Sequence, residues 1–319
     1  MCNCGCSEKR SDNNLKYMNK VILVTGGSGL VGKSLKKMMS DAVYISSSDF
    51  DLTNEISVVK MFEKYRPSVI VHLSAKVGGI IDNINYPYDY FTENILMNTL
   101  ILKYSLKYNV ERFIGILSTC IYPDTVKEYP INENQIHEGP PTKTNFSYGY
   151  SKRCLAVQID AINKQHNTKY NYLIPCNLYG DNDKDDPSKS HFITALIKKI
   201  YDANLNNQNE ITLFGDGTPI RQFMYADDLS KIIKLCIDND ITDSFNVAND
   251  EVYTINEMVN IALNATNSNH LKIVYDISKP NGQYRKDVSN KKLKEIFPNF
   301  EFLKLNEGIK KIFYDKIRK

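Results

Sequence analysis

"KVILVTGGSGLVGKSLKKMM", residues 20–39, passes from an unbroken apolar run into a glycine cluster and then into helical spacing. A strand that is apolar throughout is buried on both faces, which is the habit of parallel sheets. Gly26, Gly29 and Gly32 follow it at GxxGxxG spacing and open the helix. The first glycine makes the tight turn, the second lets a pyrophosphate approach the backbone, and the third lets helix pack on strand. The helix N-terminus then offers free amides to an anion. The stretch therefore predicts a dinucleotide-binding turn, contacted through Gly26, Gly29, Leu30, Val31 and Gly32.

The same alternation continues downstream. Apolar runs recur at "AVYIS" (42–46), "SVIVHLSA" (68–75), "RFIGILST" (112–119) and "YNYLIPCN" (170–177), separated by helical patterns such as "NEISVVKMFEKY" and "NILMNTLILKYSLKY". This order predicts an α/β fold, a Rossmann-type doubly wound parallel sheet covered by helices on both faces. After Asn177 the pattern changes to a charged loop, "DNDKDDPSKS", and short strand-like pieces between helices. We expect residues 18–177 to form the nucleotide-binding domain and residues 178–319 a smaller α/β substrate lobe, with segments near 222–248 returning to the first domain.

Composition narrows the class. The 319 residues carry a net charge of +3 with scattered lysines, which excludes a nucleic-acid footprint. No run of about 18 apolar residues is present, and the first 17 residues lack the apolar centre of a signal peptide, so no membrane association and a cytoplasmic location are expected. Of seven cysteines, Cys120, Cys154, Cys176 and Cys236 are dispersed, unlike a disulfide framework, whereas Cys2, Cys4 and Cys6 cluster in a polar tail. The tail, residues 1–17, reads as a disordered extension. No second ligand pair accompanies it, so no metal site is expected.

The end of the second strand decides which dinucleotide binds. An acidic residue there would hold the ribose hydroxyls of NAD, but the chain reads "ISSSD". Ser46 and Ser47 leave room for a 2'-phosphate, which favours NADP(H). Asp51 and Leu52 are candidates for the adenine side, with a helix cap as the ordinary alternative for Asp51. Ala75, after the third strand, is a further cofactor candidate.

Catalytic chemistry is suggested by "SYGYSK", where Tyr148 and Lys152 lie four residues apart on one helical face. A phenol beside an ammonium ionises more readily and can exchange a proton with a carbonyl oxygen; Lys152 can also hold the nicotinamide ribose. Ser118, at the C-terminal end of the fourth strand, stands where ligands bind in such sheets and can hydrogen-bond the same oxygen. Two residues on, Cys120 is a possible base if its setting lowers the thiol pKa, and in isolation it would read as a small buried hydrophobe. Inversion at carbon needs an acid on the opposite face. His191, at a helix start, is the candidate.

Ser118, Tyr148 and Lys152 behind GxxGxxG resemble the triad of the extended short-chain dehydrogenase/reductase superfamily, in its nucleotide-sugar branch. The acidic pair of the related 4,6-dehydratases is replaced here by Thr119 and Cys120. "AKVGGI", "LSTCIYP", "GPPTKTNFSYGYSKR", "IPCNLYG", "SHFITALI" and "RQFMYADDL" are similar to successive motifs of the GDP-L-fucose synthase family, from about residue 20 to the C-terminus. The resemblance implies C3/C5 epimerisation of GDP-4-keto-6-deoxy-D-mannose, with Cys120 as base and His191 as acid. It also implies NADPH-dependent reduction of the C4 ketone, with Tyr148 protonating the oxygen and Ser118 and Lys152 assisting.

Arg221 and Lys279 are expected to pair with the GDP pyrophosphate or to be surface cations, and Asn177 to contact sugar or phosphate or to close a turn. A homodimer through the helix of 89–108 and the YxxxK helix is implied as well. Two rivals remain: another enzyme of this fold acting on a different 4-keto-6-deoxy nucleotide sugar, and a non-catalytic NADP-binding regulatory protein. The loop "YGDNDKDD" departs from the family's Gly-Pro-His-Asp-Asn.

Overall fold

The computed structural model describes residues 20–183, 191–279 and 281–317, so the cysteine-bearing tail lies outside the described residues. Strand β1 (Ile22–Thr25) runs into the glycine turn and helix α1 (Leu30–Met38), as the opening stretch predicts. Then come β2 (Val43–Ile45), α2 (Glu55–Tyr65), β3 (Val69–His72), α3 (Ile80–Asn85), α4 (Pro87–Lys107), β4 (Arg112–Ile116), α5 (Phe146–His166) and β5 (Asn171–Pro175). A six-stranded sheet of order β2-β1-β3-β4-β5-β9 results, every pairing parallel, with β9 at Phe245–Val247. The chain leaves β1 for β2 on one side and β3 on the other, so the crevice above β1 and β3 is the topological switch point where ligands bind.

The glycine turn is held by close approach. Gly26 has φ +71°, and a Cβ there would lie 2.9 Å from the Ser74 amide nitrogen; one at Gly32 would lie 2.5 Å from the Gly26 carbonyl oxygen. No side chain fits between helix and strand at those points. Below the turn, a fully buried His72 spans the layers: its Nδ1 lies 2.9 Å from Thr25 Oγ1 and its Nε2 3.0 Å from Asn98 Oδ1. Burial drives its pKa down to about 3, helped by the Lys152 charge, so the ring is a neutral structural bridge and carries no chemistry.

Beyond β5 the chain alternates between two hydrophobic cores. Strands β6 (Asn177–Tyr179), β8 (Ile220–Tyr225) and β10 (Val252–Thr254) form a three-stranded sheet, and β7 (Glu210–Phe214) pairs with β11 (Lys272–Asp276). Helices α6 (Phe192–Leu205), α8 (Ile255–Ala265) and α10 (Leu305–Ile317) pack around them, burying Ile193, Ile197, Met258 and Ile309 in the second core. Helix α7 (Ala226–Asp238) instead lies against α1, and Ile232, Phe245 and Val247 join the first core. Residues 222–225 belong to the three-stranded sheet, whereas Val288 and Leu293 of a later segment, with helix α9 (Lys291–Ile296), also join the first core.

The hard contacts at the turn generate a prediction. Gly32→Val would force α1 off β1 and should destabilise the chain by about 3 kcal/mol or more. Thermal denaturation should show a lowered midpoint; an unchanged midpoint would mean the turn relaxes without cost.

Candidate functional site

Ser118 follows β4, and its hydroxyl accepts from the Cys120 amide at 3.3 Å, capping a 3-10 turn over Thr119–Ile121. Cys120 is thereby presented at the C-terminal edge of the sheet. Helix α5 meets this turn closely: a Cβ at Gly149 would lie 2.5 Å from the Cys120 carbonyl oxygen. The glycine between Tyr148 and Tyr150 thus lets the YxxxK helix reach the thiol-bearing turn. The Ser118 hydroxyl interacts with both the Tyr148 phenol and the Cys120 thiol. Three of the predicted residues form one constellation.

Two further residues complete it, neither expected from the sequence. Lys286 Nζ donates to Cys120 Sγ at 2.9 Å, and Asn145 Nδ2 donates to the same sulfur at 3.0 Å. Lys286 is only 7% exposed. Its segment is carried across from the second core: Gln283 Nε2 donates to the Asp124 carbonyl at 3.0 Å, and Ile131 pairs with Val288. Burial pushes the Cys120 thiol up, but the Lys286 ammonium, its hydrogen bond, the Ser118 hydroxyl and the Arg221 charge outweigh it and hold the thiol below its ordinary pKa. Two nitrogen donors aimed at the sulfur favour its ionised form.

Tyr148 and Lys152 behave otherwise than the spacing suggested. Lys152, 2% exposed, donates to the Ile116 carbonyl at 2.8 Å, and burial draws its pKa down to about 8. Tyr148 is held well above the ordinary phenol pKa, first by burial and then by the neighbouring Cys120 charge, against the Ser118 hydrogen bond. The expectation that the ammonium makes this phenol ionise easily is therefore not met. Desolvation dominates, and Tyr148 is a protonated donor at neutral pH.

The remaining candidates separate. Arg221 is half-buried, donates to the Ile220 carbonyl at 2.8 Å, and couples electrostatically to Cys120. Lys279 is exposed and lies 6.0 Å from the Phe214 ring; Lys286, further along, is the cation that reaches the thiol. Asn177 opens β6 instead of ending the fifth strand, and its Nδ2 donates to the Gln222 carbonyl at 3.0 Å. His191 caps α6 and is bonded to Asp183; no contact among the described residues joins it to the Cys120 group. A histidine with one nitrogen engaged retains the other for proton transfer.

The glycine turn fits a dinucleotide. A Cβ at Gly29 would meet only the Gly26 carbonyl oxygen, at 3.2 Å, so its outer side is open to close approach. Leu30 turns toward Gly180, where a Cβ would lie 3.2 Å from Leu30 Cδ1, and Val31 packs on the first core. Past β2, the Ser46 amide and hydroxyl both donate to Asp49 Oδ2 at 2.8 Å, while Ser47 is exposed. Asp51 is not a helix cap: it accepts from the Thr53 amide at 2.9 Å, and Asn54 caps α2. Leu52 is buried, and Ala75 is half-buried beyond β3.

The Lys286–Cys120 contact can be tested directly. Lys286→Met should raise the inflection of Cys120 alkylation with pH by about one unit. Peptide mass spectrometry after timed iodoacetamide exposure measures it, and an unmoved inflection would remove Lys286 from the thiol's setting.

Comparison with known proteins agrees with this architecture. The model of the NAD dependent epimerase/dehydratase family matches residues 22–248. A GDP-L-fucose synthase of Dictyostelium discoideum is 38% identical over 301 residues, 91% of this chain and 93% of that protein. A GDP-L-colitose synthase of Yersinia pseudotuberculosis is 34% identical over 282 residues, 86% of this chain and 91% of that protein. The crystal structure of a GDP-L-fucose synthetase from Naegleria fowleri bound to NADP has a TM-score of 0.84 at 30% identity, covering 94% of each chain. With the glycine turn and the parallel sheet in place, the chain belongs to the NAD-dependent epimerase/dehydratase family.

Proposed function

We propose that the chain is a bifunctional nucleotide-sugar enzyme, converting GDP-4-keto-6-deoxy-D-mannose to GDP-L-fucose by C3/C5 epimerisation and NADPH-dependent reduction at C4. The observation that carries this reading is the placement of a cation-held thiol beside a protonated tyrosine in one site. A reductase alone needs the tyrosine, and a dehydratase needs carboxylates where Thr119 and Cys120 stand. The Dictyostelium and Naegleria relatives bear names of the same activity, and the latter is bound to NADP.

The C4 ketone acidifies the hydrogens on C3 and C5. Cys120, as thiolate, takes a proton from one face, and His191 returns one to the opposite face, inverting the carbon; Lys286 and Asn145 hold the sulfur in its basic form. The thiol proton is then lost to solvent and the imidazole regains one, which closes the cycle. The glycine turn would hold the pyrophosphate of NADPH, which when bound would supply the hydride for C4. Tyr148 gives its proton to the C4 oxygen and Ser118 holds that oxygen. Lys152, charged below about pH 8, is the ammonium beside the tyrosine that can return a proton to the site. Arg221, beside the thiol, supplies positive charge for the diphosphate.

Two measurements test the proposal. In heavy water with NADPH, the wild type should deliver a product deuterated at C3 and C5, and Cys120→Ser should lose that label while still binding NADPH. Label at wild-type levels in the variant would exclude Cys120 as the base. Nuclear magnetic resonance of the product decides between fucose and another deoxysugar, the question raised by the relative named for colitose.

The proposal extends to a homodimer. Phe91 and Leu96 of α4 are 39% and 42% exposed, as are Phe146 and Val157 of α5 at 46% and 49%, on two helices packed side by side. Such an apolar face suits a second copy, giving a four-helix contact. Sedimentation should return about twice the 36.6 kDa chain mass, and Leu96→Arg with Val157→Arg should return the monomer. A wild-type monomer would exclude the contact.

A further inference from the structure

Asp183, in the stretch "YGDNDKDD", has been given no role above, yet its surroundings are well defined. Its side chain is 4% exposed, whereas His191 is 43% exposed. One oxygen, Oδ2, accepts both the His191 backbone amide at 2.9 Å and His191 Nδ1 at 3.1 Å. Burial pushes this carboxyl up, but the bonds from His191 and from Thr194 outweigh it and keep it ionised. An ionised carboxylate only accepts hydrogen bonds, so the nitrogen facing it must carry the proton. The amide bond alone would serve as a helix cap; the second bond, to the ring, is what a cap does not need.

Asp181, on the N-terminal side of Asp183, is held by side-chain contacts. Its Oδ1 accepts from Tyr225 OH at 2.5 Å, and its Oδ2 pairs with Lys311 Nζ at 3.2 Å. Lys311 also lies 3.6 Å from Asp227, which accepts from Ser34 Oγ on α1 at 2.5 Å. Two residues before Asp183, Asp181 thus joins a chain of polar contacts running from α10 to the helix of the glycine turn.

We infer that Asp183 is a positioning residue for His191: it fixes the imidazole with Nδ1 protonated, so that Nε2 alone exchanges the proton with the sugar carbon. The inference rests on the reading of His191 as the acid of epimerisation. Asp183 touches no substrate and its own proton does not move; it sets the tautomer and the ring orientation. The neutral amide of Asp183→Asn can donate as well as accept, so it no longer specifies which ring nitrogen is protonated.

The test uses the full chain with bound NADP+, labelled with 15N-histidine. Long-range 1H–15N spectra, with His191→Asn assigning the signal, should show neutral His191 as the Nδ1–H tautomer in the wild type. In Asp183→Asn that signature should become mixed, and deuterium uptake at C3 and C5 from heavy water should fall by about 100-fold, while NADPH binding stays unchanged. A wild-type Nε2–H tautomer, or Asp183→Asn exchanging at the wild-type rate, would overturn the inference. Should that variant not fold, the wild-type tautomer alone decides. Failure of the underlying reading has a separate signature: His191→Asn exchanging at the wild-type rate removes the acid, whatever tautomer Asp183 imposes.

Discussion

The contact between the Gly26 turn and the elements around it is the constraint on which the site depends. With hypothetical Cβ distances of 2.5 to 2.9 Å to backbone atoms, strand, turn and helix meet with no room for a side chain. That closeness turns the first amides of α1 toward the crevice above β1 and β3, where an anion gains the field of the helix end. It also fixes α1, whose Ser34 is bonded to Asp227 and which packs on α7. The second half of the chain is thus referenced to the same turn that would receive the cofactor.

Charge in the site is arranged by burial as much as by pairing. Tyr148 and Lys152 are both shifted toward their neutral forms, one pushed up and the other drawn down to about 8. Cys120 is shifted the other way because Lys286 stands against its sulfur. A phenol shifted up and a thiol shifted down therefore coexist within one constellation, a separation that general acid and general base steps require of neighbouring groups. His72 shows the contrast: buried as deeply, hydrogen-bonded only to neutral Thr25 and Asn98 and placed near the Lys152 charge, it is drawn down to about 3 and serves as a strut.

Much of the fold was legible because it follows from local pattern. The apolar strands, the glycine spacing and the alternation with helices each report a period that the backbone must obey. Boundaries were less so: β6 begins at Asn177, and the segment carrying Val288 and Leu293 returns to the first core, because sheet pairing and burial against distant elements decided them. Ser118, Cys120 and Tyr148 were legible as a group because the strand end and helix that bear them are recognisable and adjacent in the sheet. Lys286 was not, since 166 residues separate it from the sulfur it holds.

The amino-acid sequence by itself determined the turn and the doubly wound sheet and singled out the candidate groups of the site, all of which depend on residue type and short-range spacing. Only the tertiary structure decided what those groups become. Burial raised the Tyr148 phenol, Lys286 lowered the Cys120 thiol, and Asp183 was bonded to the His191 ring. The reason is physical: protonation state is set by desolvation and by charges within a few ångströms, and both are properties of packing that no linear spacing encodes.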